Sequence, residues 1–136
     1  MATWQTPKTD WVSTDFFNIG DYNRIKGNLE YLRDYCAKLF PRADIEDMGA
    51  DKTYTSMIYA SEFNKIEDNL DTINLASYAL SIGEKQVYTP NGITTLFSEL
   101  NRIEGAILSI YQRTQIDVSI LPKLAVRLGN LRGIKL

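Results

Sequence analysis

One twelve-residue pattern occurs three times in this chain and constrains its fold more than any other feature. It appears as Asp21-Tyr22-Asn23-Arg24-Ile25-Lys26-Gly27-Asn28-Leu29-Glu30-Tyr31-Leu32. It returns as Glu62-Phe63-Asn64-Lys65-Ile66-Glu67-Asp68-Asn69-Leu70-Asp71-Thr72-Ile73, and again as Glu99-Leu100-Asn101-Arg102-Ile103-Glu104-Gly105-Ala106-Ile107-Leu108-Ser109-Ile110. Each copy runs acid, large apolar, Asn, base, Ile, and then apolar residues at helical spacing. A repeated amphipathic segment implies repeated helices that bury their stripes against one another.

The spacing predicts helices over about 19–39, 60–80 and 95–113. In the first, Tyr22, Ile25, Leu29, Leu32, Cys36 and Leu39 share one stripe. Asn18 is placed to cap it, with Asp21 as the returning acid of an approximate capping box. Pro41 is expected to end it. Phe63, Ile66, Leu70, Ile73 and Leu80 form the second stripe, interrupted by Ser77, and Gly83 suits its end. Leu96, Leu100, Ile103, Ile107 and Ile110 form the third. A chain of 136 residues fits one domain. The expected fold is all-α: an antiparallel three-helix bundle over residues 18–117, with an extended lead-in over 1–17 and an extended arm over 118–136.

The polar members of the repeat also recur. Asp21 with Arg24, Glu62 with Lys65, and Glu99 with Arg102 are three apart, where helix side chains are neighbours worth roughly 0.2–0.5 kcal/mol per pair. Asn23, Asn64 and Asn101 sit just off the stripe. Asparagine is a mediocre helix former, so its repeated use predicts a hydrogen bond to backbone in the segments leading into the helices.

The two flanks differ in kind. Trp4 and Trp11 stand in a polar background broken by Pro7. They either pack across their own helices or anchor a partner protein. The net charge of −2 is unevenly spread: no acid follows Asp117, so the last 19 residues carry +4 and the first 117 carry −6. Leu121-Pro122 is expected to break helix. Leu124, Val126 and Leu128 then alternate with Ala125 and Arg127 at the period of a strand. This arm either lies back on the helices, pairs with another subunit or protein, or, on a weak basic signal, contacts nucleic acid. The candidate interface residues are Trp4, Trp11, Leu124, Val126, Arg127, Leu128, Leu131, Arg132 and Ile134.

Reactive chemistry is sparse. There is no histidine, and Cys36 is the only cysteine and lies on the apolar stripe. Asp44, Glu46, Asp47 and Asp51 lack the spacing of a calcium loop and read as a solvated acidic linker. No phosphate-binding or metalloprotease motif is present. The chain is therefore expected not to be an enzyme and to use no cofactor or metal. No apolar run is long enough to span a membrane, and no signal-peptide pattern opens the chain; cytoplasmic synthesis is expected.

Pro7-Lys8-Thr9-Asp10-Trp11, Asp15-Phe16-Phe17-Asn18, Asp21-Tyr22-Asn23-Arg24-Ile25 and Asn28-Leu29 together resemble a helical module of phage and prophage structural proteins from Gram-positive hosts. That module reads P-K-T-x-W, an acid-aromatic-aromatic-Asn segment, then L-N-R-I-E-x-N-I, often in tandem. The likeness covers residues 7–32 and 62–73 and departs at 99–110, where Ala106 replaces the second asparagine. It implies a virion component at the tail, baseplate or fibre attachment region. The implied partners are other virion proteins in a homo-oligomer, with neither nucleic acid nor membrane. A non-virion regulator binding a host protein, a head or neck accessory protein and a cell-wall hydrolase are the alternatives.

Overall fold

The computed structural model describes residues 3–90 and 96–129. Among them the regular elements are three helices, α1 (Ile19–Cys36), α2 (Ala60–Ala76) and α3 (Leu96–Gly129), packed against one another. The repeat explains the core. Its equivalent positions Ile25, Ile66 and Ile103 are fully buried, and so are Leu29, Leu70 and Ile107, and Leu32, Ile73 and Ile110. Each such side chain contributes roughly 1.5–3 kcal/mol when removed from water.

The helices run parallel, not antiparallel as expected. Near their starts Arg24 of α1 meets Glu104 of α3, and Arg102 of α3 meets Glu67 of α2. Near the other end Cys36 touches Thr114 at 3.5 Å, and the Tyr78 hydroxyl, just past α2, donates to Asp117 at 2.7 Å. Phe17 packs on Phe63 at one end and Phe40 on Tyr78 at the other. In all three helix pairs the contacts advance in the same direction. The antiparallel expectation assumed direct turns, whereas the segments between helices are long enough to run back the full length of the bundle. Parallel order also puts equivalent repeat residues at the same height: Cys36, Ser77 and Thr114 occupy one repeat position, and Ser77 lies beside Cys36.

The helix ends show what local chemistry decides. Asn18 caps α1 by accepting from the Asp21 N–H at 3.0 Å, while the Asp21 carboxylate accepts from the Asn18 N–H at 3.0 Å. α1 stops at Cys36, before Pro41, in a turn where the Leu39 and Phe40 N–H groups both donate to the Cys36 carbonyl. α2 stops at Ala76 rather than near Leu80 because Asn74 folds over its own end. The Asn74 carboxamide accepts from the Leu80 N–H at 2.9 Å and donates to the Leu80 carbonyl at 2.8 Å, with Ala79 at a φ of 50°.

The largest correction concerns the arm. Residues 118–129 are not extended: α3 continues through Pro122 to Gly129 and is 34 residues long. Leu121 and Pro122 are exposed, so the Val118 carbonyl that proline leaves without its helical donor has access to water. At 1.5 Å per residue α3 spans about 51 Å, against about 27 Å for α1. Between Gln115 and Pro122 no residue is buried. α3 thus projects past the bundle as an overhang.

Candidate functional site

The recurring design of the repeat is a clamp on extended backbone. Asn101 accepts from the Trp11 N–H at 2.8 Å and donates to the Trp11 carbonyl at 2.9 Å. Asn23 holds Lys52 in the same way, at 2.8 and 2.9 Å, and Asn64 holds Tyr88 at 2.7 and 3.0 Å. The expected bond to a lead-in segment is therefore present three times. A carboxamide mimics a neighbouring strand here, offering one acceptor and one donor to the N–H and C=O of a single residue. The second asparagine repeats the device: Asn28 holds Gln5 and Asn69 holds Glu46, each through two bonds of 2.8–2.9 Å.

These pairings follow a cyclic rule. Each lead-in is pinned six residues earlier to the helix it precedes and then to the helix before that one in the cycle. The first lead-in goes from α1 (Gln5) to α3 (Trp11), and the second from α2 (Glu46) to α1 (Lys52). The third is pinned to α2 at Tyr88, but its position for α3 faces Ala106, and among the described residues no side chain holds the Ile82 backbone. A cleft of about 510 Å³ remains there, lined by Leu80, Ile82, Gly105, Ala106 and Ser109 among others.

Two buried carboxylates lock the rim. Glu104 is fully buried and accepts from the Lys8 N–H at 3.1 Å, the Trp11 indole N–H at 2.6 Å, and Arg24 Nε and Nη2 at 2.8 and 2.9 Å. Glu67 occupies the same repeat position on α2, is also buried, and accepts from Arg102 and from the Gln86 N–H. Burial opposes the charge on both arginines. Hydrogen bonds and attraction from Glu104 and Asp21, and from Glu67 and Glu99, outweigh it and raise both pKa values. The first copy breaks the scheme: Lys26 stands where the glutamate would be and pairs with Asp51 at 2.7 Å and Glu30 at 3.2 Å.

Of the expected helix pairs, Asp21–Arg24 and Glu99–Arg102 form at 2.9 and 2.8 Å. Glu62 instead pairs with Lys52, leaving Lys65 without an ion pair among the described residues. Glu67 and Glu104 stand out only once the structure shows their partners. Their shared place after the repeat isoleucine was the available signal.

The candidate interface residues divide. Trp11 is 4% exposed and belongs to the protein's own core, which leaves it nothing to offer a partner. Trp4 is half-buried, stacked on Tyr111 at 3.8 Å between ring centres. Leu124, Val126, Arg127 and Leu128 lie on the last turns of α3, where only the backbone is described, and Leu131, Arg132 and Ile134 lie outside the described residues. Exposed apolar side chains do collect at the opposite end, where the lead-ins enter α1 and α2: Phe16 is 89% exposed, Tyr54 90% and Met57 67%.

The described residues hold no cluster of three His, Cys, Asp or Glu side chains that could bind a metal ion, and no described helix is long and apolar enough to cross a membrane. Cys36 is buried, and burial pushes its thiol pKa up, away from the reactive thiolate. No protein-family model matches this chain, and neither a curated protein nor a solved structure is significantly similar to it.

Proposed function

We propose that this protein is a structural component of a phage particle, a helical adaptor in the tail, baseplate or fibre attachment region. The observation that carries the reading is the use made of the repeat. Its asparagines hold the chain's own lead-ins, and Arg24, Glu67, Arg102 and Glu104 tie helix to helix. That favours a rigid building block over a catalyst and accords with the resemblance of residues 7–32 to a virion module. A block whose lead-ins and helices are pinned to one another suits a part that transmits load, while the α3 overhang offers an attachment point.

Quantitative mass spectrometry on purified particles from the source tests the proposal. The expected result is a small fixed copy number, on the order of three to twelve, as the symmetry of tail parts requires. Absence from particles, with the protein recovered on a host protein in infected cells, would overturn it in favour of a regulator.

A further inference from the structure

A single cysteine denies this chain a disulfide of its own. Its tyrosines offer another route to a covalent tie. Tyr31 and Tyr35 are four apart on α1, so their rings share one face of the helix. Tyr111 of α3 packs against both. Ring centres are 5.4 Å apart for Tyr31 and Tyr35, 5.6 Å for Tyr35 and Tyr111, and 6.1 Å for Tyr31 and Tyr111. Trp4 lies flat on Tyr111 at 3.8 Å. All four rings are half-buried, and no hydrogen bond ties any of the three hydroxyls to a described residue. Among the described residues no other tyrosine packs on a tyrosine. Tyr22 is buried, Tyr78 and Tyr88 pack on phenylalanines, and Tyr54 and Tyr59 stand exposed.

We propose that Tyr35 and Tyr111 form a site of oxidative modification, at which a one-electron oxidant joins α1 to α3 through a dityrosine bond. The oxidant takes one electron from each ring, and water takes the two phenolic protons. The two phenoxyl radicals pair, and a C–C bond forms between the ring carbons next to the hydroxyls. The hydrogens on those carbons then move to the oxygens and restore both phenols. The net change is the loss of two hydrogens.

Geometry selects this pair. The bond joins carbons flanking the hydroxyls, so the hydroxyl ends of the rings must meet. The Tyr35 phenol pKa is raised, first by burial and then by Tyr111 ahead of Tyr31, as converging hydroxyls require. The Tyr35 and Tyr111 rings are also the least tilted of the three pairs, at 37°. The indole adds a second entry: an electron lost from Trp4 is replaced from Tyr111 across the stack, with the phenolic proton leaving to water, so the radical again settles on Tyr111. The bond would close a loop that contains all of α2 and constrain the unfolded chain. It would also fasten α3 to the last turn of α1 at the root of the overhang.

Mass spectrometry on the full chain after brief exposure to photogenerated tris(bipyridyl)ruthenium(III), with persulfate as the terminal electron acceptor, tests this. The expected product is a monomer lighter by two hydrogens, whose digest contains the Tyr35 peptide joined to the Tyr111 peptide. Its urea midpoint is expected to rise. The fold templates the bond, so in urea above the native midpoint the yield of that peptide pair is expected to fall about tenfold. Tyr31→Phe keeps the packed ring and is expected to leave the yield unchanged, whereas Tyr111→Phe is expected to abolish every link between α1 and α3. A monomer of unchanged mass would overturn the proposal, whether or not dimers form through Tyr54 and Tyr59. So would a link confined to Tyr31 and Tyr35, oxygen added to Trp4 with the phenols intact, or an equal yield from the unfolded chain.

Discussion

The Asn101 carboxamide holds the peptide of Trp11, 90 residues earlier in the chain, through two hydrogen bonds. It ties the first lead-in to the last helix and so closes the cycle of clamps. Asn101→Ala leaves a peptide N–H and carbonyl beside the buried Trp11 without partners, offset in part by the better helix propensity of alanine. The expected loss is about 2 kcal/mol. Urea denaturation measures it, and a change below about 0.5 kcal/mol would show that water replaces the carboxamide.

Glu104 makes a stronger claim on stability. Its carboxylate satisfies Arg24, the Trp11 indole and the Lys8 amide together. Glu104→Gln keeps the shape but puts a donor against donors and leaves Arg24, only 15% exposed in its side chain, with Asp21 alone as counter-charge. Removing one member of a buried pair costs about 3–5 kcal/mol. The indole bond gives a local readout: Trp11 fluorescence is expected to shift even under conditions where the variant stays folded. An unshifted spectrum with native stability would mean that the pair contributes little.

The number of helices, their starting points and the three asparagine bonds were legible in the sequence because each depends on residues close together: a stripe, a cap, a recurring side chain. Helix direction was not, because it depends on where the linkers lie. The equivalence of Arg24–Glu104 and Arg102–Glu67 appears only when the repeats are set side by side in space. The strand pattern of Leu124, Val126 and Leu128 misled for a different reason. Leu121, Leu124 and Leu128 fit helical spacing equally well, and Pro122 carried more weight as a breaker than an exposed overhang warrants. The clamp on Leu80 by Asn74 ended α2 early through a non-repeated asparagine that periodicity passes over.

Tyr88 is buried, and its hydroxyl finds no hydrogen-bond partner among the described residues. Arg102 lies near it, but its guanidinium is engaged with Glu67 and Glu99. Burial first, then the Glu67 and Glu99 charges, push the phenol pKa from 10.0 up to about 12. Between those values the unfolded chain holds fewer protons than the folded one at this group, so stability falls as pH rises through the interval. Tyr88→Phe is expected to reduce that alkaline loss and, by removing an unsatisfied hydroxyl, to raise stability near neutral pH by about 1 kcal/mol. Urea midpoints followed from pH 8 to 11 test both effects, and a destabilised variant would mean that the hydroxyl has a partner in solution.

The gap at Ala106 offers the sharpest check on the cyclic rule. Gln5 and Glu46 are held by Asn28 and Asn69, whereas Ile82, the equivalent residue of the third lead-in, faces an alanine and a cleft. If the rule describes the fold, Ala106→Asn supplies the missing carboxamide, accepting from the Ile82 N–H and donating to its carbonyl. Two new hydrogen bonds, less the poorer helix propensity of asparagine, give an expected gain of about 1 kcal/mol. Hydrogen exchange localises the effect: the Ile82 amide is expected to become protected in the variant while the amides of Gln5 and Glu46 keep their rates. Gly105 and Ser109 leave room for the larger side chain, so steric failure does not excuse a negative result. A loss of more than about 1 kcal/mol, or an Ile82 amide that exchanges as fast as before, would show that the third lead-in follows a different path from the other two.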